Sequence, residues 1–113
     1  MKNSMTKGDV VLVFKQKKIH STPHFRIHWR GTGLAFARVA FAFSRASGNA
    51  VQRNRFKRRL RETLRLSAFQ GLDLVFVARK PLSQITCAIW QQEAARIVRF
   101  CEESCKHPST DPS

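Results

Sequence analysis

Residues 43–65 read FSRASGNAVQRNRFKRRLRETLR, and this stretch decides how the rest of the chain is arranged. Asn49 can accept a backbone N–H from the turn that follows, and Gln52 can reach back to it, as in a capping box. Gly71 supplies a usual C-terminal stop. The pattern therefore predicts a helix from residue 50 to about residue 70.

This predicted helix has an apolar side and a basic side. At about 100° per residue, Phe56, Leu60 and Leu64 share one side, which should face the core. Residues 43–65 carry eight Arg or Lys against a single acid, Glu62. A solvated stripe would mix signs to form ion pairs, whereas like charges this dense repel one another unless phosphates neutralise them. We interpret the basic side as a surface for a polyanion.

The composition of the whole chain agrees with this interpretation. Its 113 residues carry a formal charge of +14, and residues 10–61 contain thirteen Lys or Arg and no acid. Such a balance indicates nucleic acid or an anionic membrane surface as the partner. No apolar run is long enough for a signal peptide or a membrane span, so we expect a soluble, cytoplasmic protein. We expect one domain over residues 1–105 and a disordered tail over 106–113.

The cysteines favour a reducing compartment. There are three, Cys87, Cys101 and Cys105, and an odd number in a predicted helix is typical of free thiols. Cys101 and Cys105 with His107 could be metal ligands, but no second cluster completes a four-ligand site. We expect Cys101 to pack in the core.

Three segments have strand character. In residues 24–30, Phe25, Ile27 and Trp29 alternate with Arg26, His28 and Arg30, which predicts an apolar inner face and a ladder of donors for single-stranded RNA. The pattern of residues 34–44 predicts a second strand. Ala40, Ala42 and Ser44 share one face of it and form a shallow floor, either for nucleotides or for a closely packed helix. Residues 72–79 predict a strand covered on both faces.

Two further helices are predicted at the ends of the chain. The first runs from Thr6 to about Phe14, with Thr6 and Asp9 in capping-box spacing, and the last runs from a Ser83 cap to about Ser104. Phe14, beside three lysines, is either part of the core or a stacking surface. His28 as a catalytic base lacks a carboxylate nearby in sequence, so a nucleic-acid contact or a plain surface position is the better interpretation.

The run VAFAFSRASGNAVQRNRFKRRLRE resembles the central segment of the bacterial ribonuclease P protein subunit, and DVVLVFKQ, PHFRIHW, DLVFVARKP and SQITCAIWQQEAARIVRF are similar to other parts of that family. The resemblance implies an α/β (α+β) two-layer sandwich, in which about three helices pack with a small mixed sheet. It also implies a left-handed βαβ crossover through the basic helix, where strand patterns alone favour a right-handed one.

The resemblance further implies a function. In this family a large RNA subunit uses Mg²⁺ to cleave precursor tRNA at its 5′ end, and the small basic protein binds that RNA and the 5′ leader. By position, the residues expected to contact the RNA subunit are Arg53, Asn54, Arg55, Lys57, Arg58 and Arg61. Those expected to line or border the leader cleft are Phe14, Phe25, His28, Ser44 and Arg45.

Two other classes of function are compatible with part of the sequence. A metal-dependent nuclease acting alone would need clustered carboxylates, but Asp9, Glu62 and Asp73 fall in separate predicted elements. A ribosomal-type or other basic nucleic-acid-binding protein would use the same helix for phosphate contacts, and charge does not exclude it. The order of the motifs favours the ribonuclease P subunit.

Overall fold

The computed structural model of the chain describes residues 5–33, 37–64 and 71–106. Within them the elements are, in chain order, α1 (Lys7–Lys15), β1 (Ile19–Ser21), β2 (Phe25–Gly31), β3 (Arg38–Phe41), α2 (Ala50–Leu64), β4 (Leu72–Ala78) and α3 (Cys87–Lys106). Short 3-10 turns at Arg45–Ser47 and Leu82–Gln84 precede α2 and α3.

The four strands form one mixed sheet in the order β1-β2-β4-β3. Strand β2 is antiparallel to β1 and β4, whereas β3 and β4 are parallel and are connected through α2. This arrangement confirms the predicted mixed sheet and the strand-helix-strand unit around the basic helix. The left hand of that connection stays a prediction from the family resemblance.

Helices α2 and α3 cover one face of the sheet, and the core lies between. The strand register places Ile27 opposite Phe76, so both side chains point to this inner face. Phe25 is at the centre of the core, and its ring centroid lies 6.2 to 6.5 Å from those of Phe43, Phe56, Phe76 and Trp90. The predicted apolar side of α2 is confirmed, because Phe56, Leu60 and Leu64 are buried.

Helix α1 lies on the other face of the sheet. The predicted capping box is present: the Thr6 hydroxyl accepts the Asp9 backbone N–H at 3.2 Å, and the Asp9 carboxylate accepts the Thr6 backbone N–H at 3.1 Å. Val13 is the buried side chain of this helix, and its neighbour Phe14 is 38% exposed. Phe14 therefore lies at the surface, which resolves the two alternatives for it in favour of an accessible ring.

The last helix begins later than predicted. Ser83 lies in the 3-10 turn, and α3 starts at Cys87, where the Thr86 hydroxyl accepts the Ile89 backbone N–H at 3.2 Å. The reason is burial: Leu82 and Ile85 are 1% and 7% exposed, and the turn lets both reach the core before the helix starts. Cys101 is fully buried, as expected.

Two strands also differ from the prediction. Strand β1 was not predicted, because its three residues are too short to show alternation. Strand β3 spans Arg38–Phe41 rather than residues 34–44, although Phe43 still packs in the core and Ala42 still donates its backbone N–H to the Phe76 carbonyl at 2.8 Å. Residues 34–36 lie outside the described part of the chain.

The chain ends are described in part. Helix α3 continues through Lys106, beyond its expected end near residue 104, and the rest of the predicted tail lies outside the described residues. The predicted extension of α2 over residues 65–70 also lies outside them. None of the described helices is both long and apolar enough to span a membrane.

Candidate nucleic-acid interface

The start of α2 is fixed by side-chain hydrogen bonds, as its sequence predicts. The Asn49 carboxamide oxygen accepts the Gln52 backbone N–H at 2.8 Å, and the Gln52 oxygen accepts the Asn49 backbone N–H at 3.1 Å. A Cβ atom at Gly48 would lie 2.5 Å from the Gln52 carboxamide oxygen, so a side chain there would displace Gln52 from the cap. The cap therefore sets the position at which the basic residues of α2 begin.

The outer side of α2 carries unneutralised positive charge. Arg55, Arg58 and Arg61 are exposed, and within the described residues none of them forms an ion pair. The Arg61 guanidinium lies 5.2 Å from the Phe41 ring centroid, which directs it towards β3. Of the other residues predicted for this surface, Asn54 is exposed and Lys57 is partly buried. This side of α2 can accept several phosphates at once.

Arg53 differs from the other predicted contact residues of α2. Its side chain is partly buried, and its Nε atom is buried without a hydrogen-bond partner in the described part of the chain. A buried donor without a partner carries a free-energy cost, but because Nε is enclosed a phosphate does not reach it in this conformation. The RNA contact of Arg53 therefore stays a prediction for the exposed part of its side chain.

The face of the sheet opposite α2 is partly uncovered beside α1, and the family resemblance places the leader cleft there. The side chains of its floor follow from the strand register, which places His28, Val75 and Ala40 in one row, with Val75 fully buried and His28 and Ala40 partly exposed. Arg26 and Val77 form the next row, and Ala42 continues it beyond the end of β3. Arg26 and Ala42 are exposed, so this end of the floor is open to solvent. We call this surface, bordered by Phe14, the sheet cleft.

Phe14 and His28 form the wall of the sheet cleft. Their ring centroids are 4.5 Å apart at an interplanar angle of 62°, an edge-to-face contact. Partial burial and, to a smaller extent, the charge of Arg26 hold the pKa of His28 below its ordinary value of 6.5. His28 is therefore a neutral ring at physiological pH and offers a stacking surface and one N–H donor.

Ser44 and Arg45 lie where the chain leaves the sheet for α2. Both are exposed, and the Ser44 hydroxyl lies 3.4 Å from that of Ser47. Since Ala42 belongs to the floor of the sheet cleft, these two residues border the cleft at its β3 edge. Of the five residues predicted for this surface, Phe14 and His28 are in contact, and Ser44 and Arg45 are exposed at the β3 edge. Their joint role in leader binding stays a prediction.

The fifth residue, Phe25, was assigned wrongly. Its side chain has no exposed surface and lies on the inner face of the sheet, against α2 and α3. The alternation in residues 24–30 places Phe25 with Ile27 on the inner face, and the strand geometry confirms that periodicity. Phe25 therefore contributes to the core and cannot contact an RNA leader.

Arg30 is not a free donor, in contrast to the predicted ladder. Its Nε donates to the Asp73 carboxylate at 2.9 Å, and Arg38 donates to the same carboxylate from Nε and Nη2 at 2.9 and 2.7 Å. Arg38 also donates to Asp9 at 3.1 Å. Asp9 and Asp73, expected to be isolated, thus meet at one end of the sheet, where both are bonded by arginines.

A second buried carboxylate was missed. Glu93 on α3 is fully buried and accepts the Thr22 hydroxyl at 2.9 Å and the His24 backbone N–H at 2.7 Å, and its oxygen lies 3.2 Å from His24 Nδ1. These bonds tie α3 to the turn between β1 and β2. The spacing of Glu93 from Trp90 and Ile97 on the inner side of α3 was the signal that could have revealed its burial.

Metal binding finds no support in the described residues. No group of three His, Cys, Asp or Glu side chains among them is placed to hold an ion. The side chain of Cys105 and all of His107, two of the ligands considered above, lie outside the described part.

Comparisons with known proteins identify the family of the chain. A family model described as Ribonuclease P matches residues 6–102. The ribonuclease P protein component of Dehalococcoides mccartyi is 45% identical over 67 residues, which are 58% of this chain and 52% of that protein, so the chain spans about half the length of this relative. The component of Thermotoga maritima is 34% identical over 79 residues, or 67% of this chain and 68% of that protein.

Solved structures show the same fold. The Thermotoga maritima RNase P protein gives a TM-score of 0.71 at 27% identity, covering 84% of this chain and 90% of that chain. The Staphylococcus aureus RNase P protein gives a TM-score of 0.75 at 21% identity, covering 91% and 97%, which is a likeness of fold. Because the family model spans nearly all of the described residues, the chain belongs to the ribonuclease P protein family.

Proposed function

We propose that this protein is the RNA-binding subunit of ribonuclease P and assists the catalytic RNA in removing the 5′ leader from precursor tRNA. The observation that carries the proposal is the presence of two different RNA-compatible surfaces on opposite faces of one sheet. They meet at strand β3, where Arg61 of α2 lies over Phe41 and Ala42 belongs to the floor of the sheet cleft. One protein can therefore hold two RNA segments close together.

The basic side of α2 suits the RNA subunit. A helix presents charged side chains at fixed spacing, and phosphate contacts give affinity without reading sequence. The capping box of Asn49 and Gln52 and the burial of Phe56 and Leu60 hold the helix rigidly on the sheet. Arg53, Asn54, Arg55, Lys57, Arg58 and Arg61 are the residues that we assign to this contact.

The sheet cleft suits the leader of precursor tRNA. Its floor is made of small or aliphatic side chains, its wall offers the rings of Phe14 and His28, and Arg26 and Arg45 supply exposed charge. Stacking on such rings tolerates any base, and the exposed cations bind phosphates. The cleft should therefore accept leaders of many sequences, which would broaden the range of substrates that the RNA subunit processes.

We assign the chemistry to the RNA subunit. The only two carboxylates that meet in the described residues near the sheet cleft, Asp9 and Asp73, are bonded by Arg30 and Arg38, so they do not fit a Mg²⁺ site. We propose that Mg²⁺ is held mainly by the RNA subunit and the substrate, and that the holoenzyme acts in the cytoplasm.

The proposal is tested by reconstitution with the RNA subunit. The dissociation constants for precursor tRNA and mature tRNA are measured with the RNA alone and with the holoenzyme. We expect the protein to increase the preference for precursor over mature tRNA and to lower the Mg²⁺ concentration needed for cleavage. A ribosomal-type RNA-binding protein would bind the RNA without changing that preference, and this result would refute the proposal.

A further inference from the structure

Helix α1 has only a small apolar attachment to the sheet. It has nine residues, a length at which a helix in water is marginal without tertiary packing. Val13 is its buried side chain, while Val11, Leu12 and Phe14 are 50%, 44% and 38% exposed. Apolar burial of α1 is therefore limited to Val13, the partly buried Val10 and the contact of Phe14 with His28, and polar attachments contribute to its position.

Asp9 provides such an attachment. Its carboxylate lies 3.1 Å from Arg38 Nη1 and 3.7 Å from Arg30 Nη2, and it is four residues from Val13, on the same side of the helix. The two arginines are held from below by Asp73, which has no exposed surface. Asp9 thus joins α1 to strands β2, β3 and β4 through one hydrogen-bonded cluster.

The Asp73 carboxylate receives its hydrogen bonds without any contribution from Asp9. Arg30 and Arg38 together donate three hydrogen bonds to Asp73, between 2.7 and 2.9 Å. With Asp9 present, two carboxylates balance two guanidiniums, so these arginines are poor ligands for a phosphate. The contribution particular to Asp9 is therefore the link to α1.

We propose that Asp9 is a positioning residue for leader binding, which fixes α1 so that Phe14 stays against His28 at the wall of the sheet cleft. Phe14 is five residues from Asp9, about 7.5 Å along the helix axis, so a tilt of the helix start moves the ring. The proposal rests on the proposed function, because it assumes that the leader contacts Phe14.

The test uses Asp9→Asn in the reconstituted holoenzyme. Asparagine retains an oxygen that can accept the Thr6 N–H, so the helix cap persists while the ion pairs to Arg38 and Arg30 are removed. We expect the affinity for precursor tRNA to fall about fivefold, while the affinity for mature tRNA and the Tm change little. Removal of a negative charge near an anionic leader would by itself strengthen binding, so charge and positioning predict opposite directions.

Two controls separate positioning from other effects. Thr6→Ala removes the cap hydroxyl but keeps the ion pairs of Asp9, and it should bind precursor tRNA more tightly than Asp9→Asn does. In a Phe14→Ala background, Asp9→Asn should have almost no further effect, because it acts through Phe14. A purely structural role would weaken binding equally in both backgrounds.

Hydrogen exchange of the α1 amides tests the positioning role of Asp9 separately from the proposed leader contact of Phe14. Exchange should be faster in Asp9→Asn than in the wild type, whether or not the leader binds near Phe14. Unchanged exchange, or precursor affinity equal to or above that of the wild type, overturns the positioning role. Faster exchange together with a Phe14→Ala variant that binds precursor tRNA normally would instead refute the placement of the leader, and with it the role of Asp9 in binding.

Discussion

Val13 and Phe14 are neighbours on α1 with opposite surroundings. Val13 has no exposed surface, whereas Phe14 is 38% exposed and contacts His28 at the wall of the sheet cleft. Two adjacent residues thus provide one side chain that stabilises the fold and one that we propose to bind the leader. The pair therefore supplies a matched comparison for the proposed leader contact.

Phe14→Ala should weaken binding of the holoenzyme to precursor tRNA by about 1 to 3 kcal/mol, the usual value of one base stacked on an aromatic ring. Affinity for mature tRNA should stay nearly unchanged. The Tm should fall less than in Val13→Ala, because the phenyl ring is not enclosed by the core. An equal decrease in affinity for precursor and mature tRNA, with a wild-type Tm, would show that Phe14 does not contact the leader.

Protonation of His28 should lower the free energy of unfolding at acid pH. Its pKa is held below 6.5 by partial burial and then by Arg26, so the unfolded chain binds a proton more readily than the folded protein does. Above about pH 6.5, His28 does not make the free energy of unfolding depend on pH. As the pH falls from there through the pKa of His28 in the folded protein, the free energy of unfolding decreases. Urea unfolding at several pH values should show a smaller decrease in stability for His28→Gln. A pKa at or above 6.5 for His28 in an NMR titration would contradict this account.

Among the elements, α2 combines a buried apolar side with an exposed basic side on one rigid body. Replacing Arg58 and Arg61 with Ala should weaken binding to the RNA subunit and reduce the slope of log K against log salt by roughly 0.7 to 0.9 for each phosphate that is no longer neutralised. Arg99→Ala is the matched control for Arg58→Ala, since Arg99 is an exposed arginine on α3, outside both proposed surfaces. If affinity fell while the slope stayed the same, the two arginines of α2 would be structural.

The elements also show what the sequence could and could not predict. Helices α1 and α2 were predicted because their caps and apolar spacing are local, and β2 and β4 because alternation or continuous apolarity marks them. Strand β1 and the start of α3 depend on tertiary contacts. The bonds of Asp73 to Arg30 and Arg38, and those of Glu93 to Thr22 and His24, are themselves tertiary contacts. Partners that are 35 to 71 positions apart leave no periodic signal.

The same distinction applies to the candidate site. The residues on the outer side of α2 follow from helical spacing, and Phe14, His28, Ser44 and Arg45 came from the family resemblance. Phe25 was misassigned although the alternation of β2 places it inside. Where a resemblance and a local period disagree about the direction of a side chain, the period decides, because successive residues of a strand must face opposite sides.

In the whole molecule, acids and bases have different roles. The protein carries 21 Lys or Arg and 7 Asp or Glu, and three of the acids, Asp9, Asp73 and Glu93, are bonded to other side chains of the protein. Those bonds stabilise the fold, and the unpaired positive charge of α2 is left for RNA. The distribution favours a binding subunit over an enzyme that acts alone.

The RNA-free protein should therefore leave precursor tRNA uncut over a wide range of Mg²⁺ concentrations. Phosphodiester hydrolysis requires a bound metal ion or a general base next to the phosphate, and the two places in the described residues where carboxylates lie in bonded clusters do not offer either. Asp9 and Asp73 are bonded by arginines, and the carboxylate next to His24 belongs to the fully buried Glu93.

The measurement is a cleavage assay of purified protein with 5′-labelled precursor tRNA, in which addition of the RNA subunit should restore cleavage. Mg²⁺-dependent cleavage by the protein alone that disappears in Asp9→Asn or Asp73→Asn would place the active site in the protein, whereas cleavage that persists in both variants would indicate a contaminating nuclease.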